Sequence, residues 1–330
     1  MGSVGGADSS ARTGGVTIGV DIGGTKIAAG VIDIDGNVLR ATRRPTPRHD
    51  AGAVLAEVAA VVEELQGEVD GSIVGVGVGV AGGVDRNRAT AYFAPNLAWT
   101  QVPVKAVLQG ATGLPVVVEN DGAAAAWAEA RFGAGVGIDH LVAVTVGTGI
   151  GGGIVIDGQV MRGAHGVSAE IGHMNAVPDG RPCACGRLGC WEQYASGNAL
   201  VREARALAAE RRPEARTLLD LGDGTPEGVQ GGHITEAARL GDPVAVEAFT
   251  IVGNWLGRGL ADLTVILDPE AFVIGGGVSD AGDLLLTSAK RTLSEKVSEG
   301  SNRPMPRLVL AQLGNDAGIV GAADLARQPR

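Results

Sequence analysis

The sequence predicts an α/β protein that uses one strand unit twice. Three observations carry this expectation. A stretch from Val16, VTIGVDIGGTKIAAGVIDIDGNVLR, is matched in order and closely in spacing by HLVAVTVGTGIGGGIVIDGQVMR from His140, with the glycine turns 124 residues apart. Patterns of helical periodicity follow each copy, and strands alternating with helices build layered α/β domains. The composition agrees: of 330 residues, 45% are hydrophobic but only 3% aromatic, and 54 are glycine. Cores must then be packed from Val, Ile, Leu and Ala, with many backbone positions close to a neighbour or a ligand.

Residues 1–15 lack the apolar core of a signal peptide and read as a flexible tail. From Val16 the first copy runs as a β-branched strand, the turn Gly23-Gly24-Thr25, an apolar strand, the turn Asp35-Gly36 and a further short strand. Ala51–Gln66 follows with a helical pattern. The apolar run Ile73–Val84 is too short and too glycine-rich to span a bilayer. Val116–Asp121 (VVVEND) reads as a buried strand and Gly122–Gly133 as the helix after it. The second copy repeats the order, with Gly147-Thr148-Gly149 and Asp157-Gly158 as its turns. Helical patterns over Asn198–Arg211 and Pro243–Leu267 come next, then AFVIGGGV (Ala271–Val278), again a strand running into glycines. Asp316 can cap a last helix over Ala317–Arg327.

The formal charge of −10 argues against nucleic acid or an anionic membrane as partner. Three cysteines are an odd number and do not form a disulfide framework, so a reducing, cytoplasmic setting is expected. In DIGGTK (Asp21–Lys26) the glycines remove Cβ atoms from a turn between strands, so backbone N–H groups can approach phosphate oxygens. Asp21 can hold Mg²⁺, and Thr25 and Lys26 can add donors. The bland alternative is an ordinary glycine hairpin. It is not a Walker loop, because Ile27 stands where Ser or Thr is required. GTGIGG (Gly147–Gly152) formally matches a dinucleotide fingerprint, but strand and turn residues follow it where a helix should open. Two glycine hairpins related by a repeat can instead grip one polyphosphate.

DIGGTK, END, GTGIGGG, EIGH followed by CACGRLGCWE, and VIGGGV occur in an order and context that resemble the ROK family (repressors, open reading frames, kinases), from Val16 to the end of the chain. The resemblance is greatest to its glucose-phosphorylating members. It implies the actin-like ATPase (ribonuclease H-like) fold, a duplicated two-domain architecture with a central cleft. The expected small domain is 16–120 plus about 315–330, and the large one is 121–314. Carried over residue by residue, Asp121 falls on the catalytic base, and Asn120, Glu170, His173 and Glu192 on the sugar ligands, with Asn96 of PNLAW a further sugar-side contact. Asp21, Gly23, Gly24, Thr25, Lys26, Thr148 and Gly149 fall on the phosphate and Mg²⁺ region, and Gly275, Gly276 and Gly277 where the family closes over the nucleoside. The implied reaction is transfer of the γ-phosphoryl group of ATP to the 6-hydroxyl of D-glucose, by a homodimer or homotetramer. Fructokinase and the N-acetylmannosamine and N-acetylglucosamine kinases are the alternatives within the family. A sugar-responsive regulator and a catalytically silent sugar-binding module are the rivals outside catalysis, and an intact Asp121 with both phosphate turns argues against the second. Only 15 residues precede the first strand, too few for the helix-turn-helix domain such a regulator carries.

All three cysteines lie within eight residues, Cys183, Cys185 and Cys190, with His173 ten residues upstream of the first. Three thiolates and an imidazole suit one tetrahedral Zn²⁺, and no position is left for a catalytic water, so a structural ion is expected, one per chain. Inert buried thiols are the alternative, although polar and turn residues surround these cysteines. Glu170 and Glu192 bracket the cluster. A metal that gathers the loop would fix both carboxylates, and each can accept hydroxyl hydrogen bonds from a polyol. Without it they read as two solvated surface acids.

Overall fold

The computed structural model describes residues 15–48, 50–69, 71–298 and 302–328. Apart from Gly15, the tail expected over residues 1–15 lies outside them. The chain divides into two compact units, Met1–Asp121 with Gly318–Arg330, and Gly122–Ala317.

In the first unit β1 (Val16–Ile22), β2 (Lys26–Ile32) and β3 (Val38–Pro45) form the antiparallel meander. Helix α1 (Ala51–Gly67) follows, its N-terminus capped by the Asp50 carboxylate, which accepts from the Gly52 and Ala53 N–H groups at 2.8 and 3.2 Å. Val54, Leu55, Val58, Val61, Val62 and Leu65 recur at helical spacing and are its buried stripe. Next come β4 (Ile73–Val80), a small sheet of β5 (Gly83–Val84), β6 (Ala91–Ala94) and β7 (Trp99–Val102), helix α2 (Val104–Thr112) and β8 (Val116–Asn120). The main sheet has the order β3-β2-β1-β4-β8, with β4 parallel to both β1 and β8.

The alternation of valine and glycine in β4 has a packing cause. Val76, Val78 and Val80 are fully buried on one face. On the other, a Cβ at Gly77 would stand 1.7 Å from the carbonyl oxygen of Ala322, and one at Gly19 of β1 would stand 1.8 Å from that of Ile319. The C-terminal helix, Ala317–Leu325, therefore lies with its backbone directly on the sheet, an approach that only glycine permits. Gly77→Ala is expected to lower stability by about 1–3 kcal/mol or more, read as a lower midpoint in urea. An unchanged midpoint would show that the helix is not seated this closely.

The second unit repeats the sheet strand for strand. Its meander is β9 (Leu141–Val146), β10 (Ile150–Ile156) and β11 (Gln159–Val160), completed by β12 (Ala271–Gly275) and β13 (Arg307–Leu310). The order is β11-β10-β9-β12-β13, again with β12 parallel to its two neighbours. The expected duplication is thus a duplication of topology. Helix α3 (Asp121–Phe132) starts one residue earlier than expected, so β8 stops at Asn120 and Asp121 opens the helix, where an acidic side chain suits the positive helix end. Its alanines lie against β10: a Cβ at Gly153 would stand 2.4 Å from that of Ala126, and one at Gly122 would stand 2.6 Å from the Gly152 carbonyl oxygen. In GTGIGGG, Gly152 and Gly153 therefore serve packing, while Gly147 and Gly149 flank the turn.

The rest of this unit is helical: α4 (Glu192–Ala195), α5 (Gly197–Glu210), α6 (Arg216–Leu221), α7 (Gly231–Arg239), α8 (Pro243–Leu267) and α9 (Asp283–Ser298). Asp242 caps α8, with Pro243 at the first helical position, and its second oxygen accepts from the Leu218 N–H at 3.0 Å, tying α6 to the same point. The core gathers Trp191, Phe249, Leu256 and Phe272. No helix among the described residues is long and apolar enough to cross a membrane.

Candidate active site and metal centre

In the first unit, three parallel strands end together. Their register sets Asp21 beside Gly79, Gly79 beside Glu119, and Val80 beside Asn120. Asp21, Asn120 and Asp121 therefore share the carboxyl edge of the parallel strands, where open α/β sheets bind ligands. Gly79 leaves the room between them: a Cβ there would stand 3.7 Å from both the Asp21 Oδ1 and the Asp121 Cα. Asn120 Nδ2 donates to the Gly82 carbonyl and to Asp121 Oδ1, each at 3.1 Å. Although Asp21 keeps some exposed surface, the protein packed around its carboxyl pushes it above the usual carboxylate range, against the pull of Lys26. A cation bound at this edge would draw it back to the ionised form, so Asp21 fits a Mg²⁺ partner.

The first glycine turn is braced from outside the motif. Gly23 N–H donates to the Lys26 carbonyl at 3.0 Å and Thr46 N–H to the Thr25 carbonyl at 3.1 Å, while the Thr46 hydroxyl donates to the Gly23 carbonyl at 2.8 Å. Thr25 and Lys26 are exposed at its tip. Gly24 touches the Pro95–Leu97 turn, since a Cβ on it would stand 2.9 Å from the Asn96 Cβ. Asn96 is in the short 3₁₀ turn Pro95–Leu97, closed by Ala98 in the left-handed region at φ 54°.

In the second unit the turn Gly147-Thr148-Gly149 rests on the start of α5: the Gly197 N–H donates to the Gly147 carbonyl at 2.8 Å and the Asn198 N–H to that of Thr148 at 3.4 Å. The Gly275–Gly277 loop lies against the same place. Val278 N–H donates to the Val146 carbonyl at 3.0 Å. Gly276 has φ 88° and sits so close to Val146 that a Cβ would meet its carbonyl oxygen at 2.6 Å.

His173, Cys183, Cys185 and Cys190 come together, with one donor atom from each lying within 4.8 Å of all the others. His173 Nδ1 is 3.7 Å from Cys183 Sγ, and the Cys185 and Cys190 sulfurs are 3.5 Å apart. Around a tetrahedral zinc with bonds of about 2.0–2.3 Å, donor atoms stand roughly 3.5–3.8 Å apart, so the set fits that ion. The loop that brings these donors together is tightly shaped. Asn175 and Pro182 bridge to Cys190 and Leu188, Gly186 and Gly189 take φ 86° and 75°, and a Cβ at Gly189 would strike the Val177 carbonyl oxygen at 1.7 Å. Trp191, the next residue after Cys190, is fully buried against Gly259 and donates from Nε1 to the Trp255 carbonyl at 2.8 Å. Burial pushes the Cys183 thiol up to about 12. Burial acts in the same sense on Cys185, but hydrogen bonds from Arg187 and the other two cysteines bring it down to about 6.

Glu192 stands beside this cluster. Its Oε1 accepts from Cys183 Sγ at 3.0 Å and lies 3.6 Å from His173 Nδ1. Its Oε2 accepts from the Ile150 N–H at 3.4 Å and would meet a Cβ at Gly149 at 2.4 Å, so this carboxylate borders both the metal donors and the second glycine turn. Glu170 precedes the short turn Ile171–His173 and follows Ala169, which is held at φ 68°. Its carboxyl is raised by partial desolvation, with His173 opposing and Glu192 reinforcing.

The ROK family model matches residues 17–329. The chain belongs to the ROK family. Among its ROK relatives, a glucokinase of Streptomyces coelicolor is 52% identical over 315 residues, 96% of this chain and 98% of that protein. The crystal structure of a ROK family glucokinase from Streptomyces griseus in complex with glucose and AMPPNP matches with TM-score 0.86 and 51% identity, covering 96% of this chain and 100% of that one. A ROK hexokinase from Thermus thermophilus matches with TM-score 0.76 and 35% identity over 94% of this chain and 97% of that one. These neighbours have the actin-like ATPase fold, and so does this ROK chain. Sequence reasoning missed the residues that hold the site in place: Thr46, Gly82, Trp191 and the ion pair of Arg88 with Glu119. Only Glu119, adjacent to Asn120-Asp121, offered a sequence signal.

Proposed function

We propose that this chain is a glucokinase that transfers the γ-phosphoryl group of ATP to the 6-hydroxyl of D-glucose. The carrying observation is the tethered Asn120–Asp121 pair at the carboxyl edge of the parallel strands, in a chain 52% identical to a glucokinase over nearly its whole length. In this reading Asp121 accepts the proton of the attacking hydroxyl. The Asn120 amide holds Asp121 and meets a neighbouring hydroxyl. Asn96, Glu170 and Glu192 bind further hydroxyls. His173 turns Nδ1 to the cysteines, which leaves Nε2 for the sugar, its tautomer set by the metal-side bond. Backbone N–H groups of both glycine turns, with Thr25, Lys26 and Thr148, hold the phosphates, and Gly275–Gly277 border the nucleoside. Mg²⁺ beside Asp21 would supply charge neutralisation for the phosphoryl group. Zinc held by the Cys₃His set would be structural and would keep the loop that carries Glu170 and Glu192 in one shape.

A coupled assay of ADP release over glucose, mannose, fructose, glucosamine and N-acetylmannosamine tests the assignment. Glucose is expected to give the highest kcat/KM with ATP, and N-acetylmannosamine or fructose in that place would reassign the acceptor. ATP is the expected donor, since polyphosphate needs no nucleoside loop. Rapid phosphorylation of glucose by purified polyphosphate, with none by ATP, would overturn the donor.

A further inference from the structure

The segment between β4 and β6 grips the end of β8 at three successive residues. The Arg88 carbonyl accepts from the Val118 N–H at 3.1 Å. Arg88 Nε pairs with Glu119 Oε2 at 3.1 Å, and that glutamate is only 2% exposed. The Gly82 carbonyl accepts from Asn120 Nδ2 at 3.1 Å. The next residue is Asp121. Glu119 completes the chain of contacts, because its Oε1 accepts from the Asn120 N–H at 3.0 Å while Asn120 Nδ2 reaches Asp121 Oδ1.

The segment is itself shaped to present Arg88. Asp85 is buried, and its Oδ1 accepts from the Ala89 and Thr90 N–H groups at 2.7 and 2.8 Å, while the Arg88 N–H donates to the Asp85 carbonyl at 3.0 Å. This tight turn holds Arg88 at φ 55°, a conformation that a side-chain-bearing residue adopts only when its surroundings impose it. Gly82 is equally constrained, since a Cβ there would strike the Phe93 carbonyl oxygen at 2.1 Å. A buried carboxylate is retained only with a partner, and here the partner is delivered by a strained turn.

We infer that Arg88 and Glu119 are positioning residues that set the height and direction of the Asn120–Asp121 pair, so that the turn Asp85–Thr90 governs the rate of the chemical step without touching substrate. The inference rests on the reading of Asp121 as general base. Misplacing a reacting group by about 1 Å can cost on the order of 10²-fold in rate.

The test compares kcat, KM and calorimetric glucose binding for the full-length wild type, Arg88→Met, Arg88→Lys and the double variant Arg88→Met/Glu119→Gln. The double variant removes both charges of the Arg88–Glu119 pair, so the buried carboxylate is not left without its arginine, and circular dichroism checks that each variant is folded. Arg88→Met and the double variant are expected to lose about 10–100-fold in kcat, with glucose affinity within about threefold. Arg88→Lys, which keeps the ion pair, is expected to recover part of the loss. A folded double variant with near-normal kcat overturns the inference, and so does a parallel loss of kcat and glucose binding, which marks a merely structural role. A wild type that phosphorylates another sugar but not glucose overturns the proposed acceptor alone, and the comparison is then made with that sugar. A wild type active on no sugar overturns both.

Discussion

Asp121→Asn is expected to lower kcat by roughly 10²–10⁴-fold, the usual worth of general-base catalysis. Asparagine has nearly the same shape and keeps a side-chain oxygen that can accept from Asn120 Nδ2, the contact now made at 3.1 Å. It cannot take a proton at neutral pH. Glucose affinity is expected to change much less, because Asn120, Glu170, His173 and Glu192 are untouched in this reading. A fall in kcat with little change in ground-state binding marks an interaction made in the transition state. Asp121 also opens α3. Were that its only role, the substitution would be nearly silent, because asparagine suits a helix start as well as aspartate does. Steady-state kinetics beside glucose calorimetry separates the cases. Near-normal kcat would remove Asp121 from the mechanism, and a folded variant that no longer binds glucose would make it a ligand instead.

Cys185→Ser is expected to lose metal and activity together. The protein as purified should carry about one zinc per chain, the ion that three cysteines and a histidine select. Cys185 is the exposed member of the set and the thiol held down to about 6, so it is the ligand readiest to bind as thiolate. Without the ion, the loop on which Glu192 touches Cys183 and nears His173 loses the bonds that would tie its four donors to one point. The activity loss should at least equal the roughly 10–100-fold typical of changes one shell further out. Thermal unfolding should move down at the same time, because metal binding to a folded site adds directly to folding stability. Elemental analysis that finds no metal in active, never-chelated protein would end this account, as would a zinc-free Cys185→Ser variant with full activity.

Much of this molecule was legible because the signals are local. Each meander is a run of β-branched residues broken by glycine, and its period can be read along the chain without knowing what it packs against. That the two copies share the strand order β3-β2-β1-β4-β8 and β11-β10-β9-β12-β13 follows from repeating the same instruction. The cysteines and His173 lie within 18 residues of chain, so a few turns suffice to bring them together. END and the glycine turns mark strand ends, where ligands meet open sheets.

What the tertiary structure decided involves partners distant in sequence. The valine-glycine alternation of β4 is visible along the chain, but its reason is the carbonyl of Ala322, 245 positions beyond Gly77. Gly152 and Gly153 belong to the glycine-rich GTGIGGG motif, yet what they do is admit helix α3 against β10. Asp121 reads as the end of a strand and is the start of a helix. Arg88 carries no signal in the sequence, yet it pairs with a buried glutamate. The sequence by itself determined which residues are candidates for the chemistry, because chemistry is a property of residue type. The structure alone decided what holds them still, because a side chain is fixed by whatever fills the space around it, and that filling comes from elsewhere in the chain.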